Sequence, residues 1–192
     1  MKDLLTVTPA RKSTHLDQYN NSWYQPGPGW KILLWIVTNA VFFNNSLAVF
    51  NSLKCWLLQK FGAKIGKGVV IKTSVNIKYP WFLEIGDQVW IGENVWIDNL
   101  TYVIVRNHVC ISQGALLLTG NHNYKKPTFD LIVKGILLED GVWIGARATV
   151  CPGVRCNSHA VLTVGAVATS DLEAYGIYSG SPAKKIKERV ID

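Results

Sequence analysis

The chain has 192 residues, 48% of them hydrophobic and 17% charged, with a formal net charge of +7. That is enough chain for one domain with a substantial core, and too apolar for a disordered protein. The positive balance suits an anionic ligand or a membrane surface; no RNA- or DNA-reading motif accompanies it, so no nucleic-acid partner is expected.

Residues 1–29 are polar, rich in turn formers, and end in Gln25-Pro26-Gly27-Pro28-Gly29. They read as an irregular arm. No basic-then-apolar leader follows Met1, so a cytoplasmic location is expected. The next segment differs sharply. Ile32 to Leu53 carries no charge, a length that raises the question of a membrane span. Thr38, Asn39, Asn44, Asn45, Ser46, Asn51 and Ser52 interrupt it, and unpaired amides are costly in hydrocarbon. Trp30, Leu33, Leu34, Val37 and Val41 follow a helical stripe. The segment therefore reads as two helical pieces broken near Asn44-Asn45-Ser46. They are expected to pack on the rest of the chain or a neighbouring subunit, or to lie peripherally at the inner face of the membrane. Trp30, Trp35 and Trp56 would suit such an interface.

From Phe61-Gly62-Ala63 onward a six-residue rhythm sets in. Aliphatic residues recur at Ile65, Ile71, Ile77, Ile85, Ile91, Ile97, Val105, Ile111 and Leu117, and again at Leu138, Ile144, Val150 and Leu162, with Cys156 in the same slot. Small or apolar residues follow four places later, as at Val69, Val89, Val109, Val142 and Ala160. No helix has this period, whereas short strands that each turn a corner do. One rung cannot bury its own apolar face, so the rungs must stack into a solenoid of roughly four to five coils. Two slips of two residues, at Leu83-Glu84-Ile85 and Val103-Ile104-Val105, are the size of bulges. Gly86-Asp87, Gly92-Glu93-Asn94, Asp140-Gly141 and Pro152-Gly153 suit corners with left-handed backbone angles. The expected fold is mainly β. Residues 1–60 form the arm and helical segment, 61–182 the solenoid with an inserted loop at 119–137, and 183–192 a short capping helix.

Phe61-Gly62-Ala63-Lys64-Ile65-Gly66, Tyr79-Pro80-Trp81, Leu118-Thr119-Gly120-Asn121-His122-Asn123-Tyr124, Val142-Trp143-Ile144-Gly145, Pro152-Gly153-Val154 and Gly180-Ser181-Pro182-Ala183-Lys184 occur in that order. With the repeat, they make the chain resemble the hexapeptide-repeat acetyltransferases, above all the group of colanic acid and exopolysaccharide biosynthesis. The resemblance implies a left-handed parallel β-helix, a homotrimer, acetyl-CoA as co-substrate without a metal, and a carbohydrate acceptor.

Acetyl transfer from a thioester to a hydroxyl needs a base, donors for the developing oxyanion and a slot for the coenzyme. His122 is the only histidine in a polar, loop-like setting, and an imidazole accepts a proton at modest cost. The resemblance places the catalytic base there. It also implies that Trp143 lines the pantetheine channel, that the Ala146 amide serves the oxyanion, and that the Val164 backbone binds coenzyme A. By the same resemblance Lys184 and Lys187 lie near the 3′-phosphate, and Asp98 and Asn99 touch the acceptor sugar. One departure is Thr169-Ser170-Asp171, where the family often has Thr-Lys-Asp.

From the residues alone, Trp143 also reads as an aromatic covering a rung, the two lysines as a solvated face, and Asp98-Asn99 as a turn. His108 and His159 read as surface residues at corners. The four cysteines, Cys55, Cys110, Cys151 and Cys156, have neither CxxC nor zinc spacing. Two alternatives share the solenoid. A γ-type carbonic anhydrase needs three histidines, two of them close in sequence, and His108, His122 and His159 are evenly scattered. A non-catalytic carbohydrate-binding or assembly solenoid needs neither the loop histidine nor the basic end.

Overall fold

Aliphatic residues six apart become the inward side chains of strands two or three residues long, and three strands close one coil. In the computed structural model, which describes residues 12–192, the first coil is β1 (Lys64–Ile65), β2 (Val70–Ile71) and β3 (Asn76–Ile77). The second is β4 (Leu83–Ile85), β5 (Trp90–Ile91) and β6 (Trp96–Asp98). The third is β7 (Val103–Val105), β8 (Cys110–Ile111) and β9 (Leu116–Leu118). A hairpin, β10 (Gly120–His122) and β11 (Leu131–Val133), leaves the solenoid before the fourth coil. That coil is β12 (Ile136–Leu138), β13 (Trp143–Ile144) and β14 (Thr149–Val150). The fifth is β15 (Arg155–Cys156), β16 (Val161–Leu162) and β17 (Val167–Ala168). The chain ends in β18 (Gly176–Gly180) and β19 (Ala183–Glu188).

Equivalent strands of successive coils pair in parallel, which makes three sides of a prism. Side one is β1, β4, β7, β12 and β15. Side two is β2, β5, β8, β13, β16, β18 and β19. Side three is β3, β6, β9, β14 and β17. The core is the stack of expected slots: from Ile71 to Leu162 each is buried, including Cys156, while Ile65 in the first rung is half-buried. Left-handed backbone angles mark two corners. Gly68, Gln88, His108, Gly141 and His159 turn from side one to side two, and Ser74, Asn94, Gly114, Arg147 and Gly165 from side two to side three. Asn94 and Gly141 thus match the expected corners, and Gly153, at φ +86°, matches at the corner from side three to side one. Gly86 and Gly92 do not take positive φ. Gly86 is instead required by close packing: an added Cβ would lie 2.6 Å from Asn107 Oδ1.

The two slips are not strand bulges. Leu83↔Val103, Glu84↔Ile104 and Ile85↔Val105 pair in unbroken register. The extra residues sit instead at the corner from side three to side one, first in the 3₁₀ turn Pro80–Phe82 and then at 99–102. The 119–135 insertion occupies this same corner one coil on. All three passages therefore stack above one another, and the corner becomes a platform.

The helices close the first coil, whose outer edge has backbone groups without a ladder partner. α1 spans Gly29–Phe42 and α2 Asn51–Lys60, with the break at the expected asparagines. The polar residues that interrupt the apolar run serve this edge. Asn51 bonds to Val69 O and Ile71 N at 2.8 and 2.7 Å. Buried Lys54 donates to Ile71 O and Lys72 O, and Trp35 Nε1 donates to Ile77 O. The stripe Trp30, Leu33, Leu34, Val37 and Val41 faces away from the solenoid, and Trp35 and Phe43 turn inward.

The capping helix expected at 183–192 is not formed. Ala183–Glu188 is a strand, antiparallel to β18. Gly180, at φ +94°, begins a turn that folds the chain back onto β18. Covering that free edge satisfies ladder hydrogen bonds that a separate helix would leave open, and this outweighs a weak local preference for helix.

Candidate active site

The platform at the corner between sides three and one is held from beneath by polar side chains. Asn99, fully buried, accepts from Tyr79 N at 3.0 Å and donates to Tyr79 O at 2.6 Å. Thr119 Oγ1 donates to Asp98 O at 2.9 Å and accepts from Leu100 N at 2.7 Å. Asn99 is thus spent on the ladder between coils. Asp98 is different: its Oδ1 lies 3.0 Å from Lys78 Nζ but out of line for a hydrogen bond. It is a nearly buried carboxylate with acceptor capacity left over.

Above this platform the hairpin pairs Gly120↔Val133, Asn121↔Ile132 and His122↔Leu131, so His122 sits where the strand enters the loop 123–130. His122 Nδ1 is 2.9 Å from Phe129 O. Asp130 ties the loop, accepting from Lys126 and Thr128. Those two bonds hold its carboxyl below the ordinary carboxylate range. Residues 15–26 of the N-terminal arm run along the same corner; the part of the expected irregular arm at 1–11 lies outside the described residues. His15 N bonds to Pro127 O, Tyr24 Oη donates to Leu100 O at 2.6 Å, and Trp81 Nε1 donates to Pro26 O. Tyr19 brings its ring to 5.6 Å from that of His122. Tyr19 and Phe129 at His122, and Tyr24 at Leu100 of the platform, had no sequence signal, because only the folded arm and loop carry them there.

A cleft of about 540 Å³ opens at another corner, between sides two and three. Trp143, Ala146 and Val164, three of the residues expected to meet the coenzyme, line it together with Ser112 and Thr163. Trp143 is held by a 3.0 Å bond from Nε1 to Ser112 Oγ. Gly145 lets the backbones of adjacent coils approach: an added Cβ would sit 2.6 Å from Val164 N. The N–H groups of Ala146 and Val164 have no acceptor among the described residues. Thr163 Oγ1 is buried without a partner among the described residues. Unfilled donors and an orphaned hydroxyl in an otherwise apolar cleft fit a ligand carrying amides and carbonyls.

On β19, Lys184 lies opposite Ser179 and Lys187 opposite Ile177, because an irregularity at Ile186 takes up one residue. The two lysines therefore share the outer face of side two, with the register line that runs through Trp143, Val161 and Ile177. Among the described residues neither has a carboxylate partner, whereas Lys185 is held by Glu173 and Glu188.

The chain does not bring all expected residues to one place. His122, Asp98 and Asn99 belong to one corner; Trp143, Ala146 and Val164 belong to another. His108 and His159 lie on the third corner, and His159 stacks on Tyr175. Among the described residues no three of His, Cys, Asp and Glu are grouped as metal ligands. Burial pushes the thiols of Cys110 and Cys151 up, away from the reactive thiolate.

No family model matches the chain. It is 35% identical over 167 residues to the Escherichia coli (strain K12) protein WcaF, assigned as an acetyltransferase of colanic acid biosynthesis; the match covers 87% of this chain and 92% of that one. The chain belongs to the hexapeptide-repeat acetyltransferases. This acetyltransferase is also 24% identical over 157 residues to the galactoside O-acetyltransferase of Lactococcus lactis, covering 78% of this chain and 74% of that one. Its fold is that of a galactoside acetyltransferase solved with coenzyme A: TM-score 0.74 at 21% identity, covering 83% of this chain and 80% of that one. A Vibrio cholerae hexapeptide-repeat acetyltransferase solved with acetyl coenzyme A superposes with a TM-score of 0.69 at 21% identity, over 74% of this chain and 80% of that one.

Proposed function

We propose that this acetyltransferase moves an acetyl group from acetyl-CoA to a sugar hydroxyl in exopolysaccharide assembly, by direct transfer with His122 as general base. The observation that carries the reading is the bond between His122 Nδ1 and Phe129 O. A carbonyl can only accept, which assigns the proton of a neutral ring to Nδ1 and leaves a lone pair on Nε2. Nε2 takes the proton of the acceptor hydroxyl as its oxygen attacks the thioester carbonyl. The oxygen–carbon bond forms, the carbon–sulfur bond breaks, and the imidazolium returns its proton to the departing thiolate.

The unfilled N–H of Ala146 is the candidate donor to the developing oxyanion, and that of Val164 a candidate for a coenzyme carbonyl or amide. The coenzyme-bound galactoside and Vibrio acetyltransferases support acetyl-CoA as co-substrate. The assignment of WcaF and the name of the Lactococcus enzyme support a sugar acceptor. Asp98, with its spare acceptor capacity, is the better candidate of the pair for a sugar hydroxyl; Asn99 positions the platform.

The same reading takes the coil as left-handed and the enzyme as a homotrimer. His122 and the Trp143 cleft leave different corners of one prism, so a second copy is needed to set base against thioester. Cyclic symmetry repeats that junction until the ring closes. The deciding experiment is thiol release from acetyl-CoA with a panel of sugars. Release that depends on a sugar and is lost in His122→Asn is expected. Release that ignores both the sugar and the substitution would overturn the proposal.

A further inference from the structure

The outer face of α1 is apolar and uncovered among the described residues. Trp30, Leu33, Leu34, Val37 and Val41 are each at least half exposed, and Leu47, Val49 and Phe50 extend the patch through the turn to α2. The opposite face of α1 is already spent on the first coil through Trp35 and Phe43. A helix apolar on both faces ordinarily has a partner on both.

The charge around the patch favours an anionic partner. From Gly29 to Leu83 the chain has seven lysines and no aspartate or glutamate; Lys54 is buried on backbone carbonyls and Lys64 and Lys78 pair with Glu84 and Asp98, which leaves Lys31, Lys60, Lys67 and Lys72 for a ligand. Lys31, Lys60 and Lys72 lie over the rings of Trp81, Trp56 and Trp90, and Lys67 is exposed. A second copy docked face to face through this same end would set lysines against lysines, a repulsion that works against such a dimer. An anionic bilayer surface offers apolar acyl chains and negative headgroups together. Spanning is excluded for α1 by length: its 14 residues rise about 21 Å, against a hydrocarbon core of about 30 Å.

We propose that the α1–α2 end docks on an anionic lipid surface, with the Trp30–Val41 stripe in the interface and the lysines among the headgroups. The proposal does not depend on the role of His122.

Flotation of the full-length protein with phosphatidylcholine vesicles and with mixed phosphatidylcholine–phosphatidylglycerol vesicles tests it. Binding to the mixed vesicles is expected, weakening as salt rises. Leu34→Glu with Val37→Glu should lower that binding roughly tenfold or more. Both positions are exposed, so thermal unfolding and solution mass should be unchanged; the milder Leu34→Ser with Val37→Ser carries the same expectation if glutamates disturb α1. Lys60→Glu with Lys67→Glu should lower binding roughly fivefold per lysine. Three results would overturn the proposal. One is no flotation at low salt, or flotation indifferent to the stripe variants. Another is equal flotation with neutral vesicles. The third is a change of solution mass in the stripe variants without lipid, which would make the patch a subunit contact.

Discussion

The ring of His122 lies flat on that of Phe129, with centroids 4.5 Å apart and planes within 9°, while the carbonyl of Phe129 holds Nδ1. One residue therefore fixes both the plane of the imidazole and the nitrogen that faces outward. If Nε2 is the base, His122→Ala or His122→Asn should lower turnover by roughly two to four powers of ten, the range for a lost general base. Acetyl-CoA affinity, measured by calorimetry, should be nearly unchanged, because the Trp143 cleft proposed for the coenzyme lies at another corner. Near-normal turnover in His122→Asn would refute the assignment.

Lys184 and Lys187 share one face of the last strand pair without carboxylate partners among the described residues. If they meet the 3′-phosphate, Lys184→Glu with Lys187→Glu should weaken coenzyme A more than dephospho-coenzyme A. The difference should shrink as salt is added, since both are exposed point charges. Equal losses for the two ligands would return these lysines to the solvated face.

An intersubunit site predicts complementation. A His122→Ala chain and a chain with its cleft blocked by Ala146→Trp should each be inactive alone. Co-expressed, they form some junctions with an intact base beside an intact cleft, and part of the activity should return. Light scattering should report a trimer for the wild type. A fully active monomer would refute both the trimer and the shared site.

Cys156 occupies an aliphatic slot of the core, and burial, with a smaller contribution from Asp171, pushes its thiol from an ordinary 9.0 up to about 12. A group whose folded pKa is raised stabilises the fold fully below its unfolded pKa and loses that contribution as pH climbs through the folded one. Stability should therefore fall between about pH 9 and pH 12. Cys156→Val, close in volume and unable to ionise, should flatten that part of the profile in chemical unfolding experiments. An unchanged alkaline slope would assign the loss to other groups.

The interior was legible before folding because a period of six admits one geometry. The slots from Ile71 to Leu162 had to point inward wherever the chain turned. The break at Asn44-Asn45-Ser46 was legible for a similar reason, since short polar side chains compete with the helix for its own backbone. The purpose of Asn51 and Lys54 was not legible. They satisfy the open edge of the first coil, and an edge exists only once the strands have stacked. The strand at 183–188 was not legible on the same ground: Lys184 to Arg189 suits a helix locally, but the unpaired edge of β18 is a stronger, non-local claim on its hydrogen bonds.

For the site, the order of residues settled only the kinds of group available: one loop histidine at the interrupted rung, a tryptophan beside an inward slot, and a basic tail. Tertiary structure decided their relations. It stacked three corner insertions into the platform under His122, and brought Phe129, seven residues further along, onto the imidazole. It carried Tyr19 from the distant arm to the same ring. It also turned the Trp30–Val41 stripe outward, because the first coil takes only one side of a helix and Trp35 already occupies it. Periodicity specifies which side chains share a face; which face meets which neighbour depends on contacts between residues far apart in the chain, and only packing settles those.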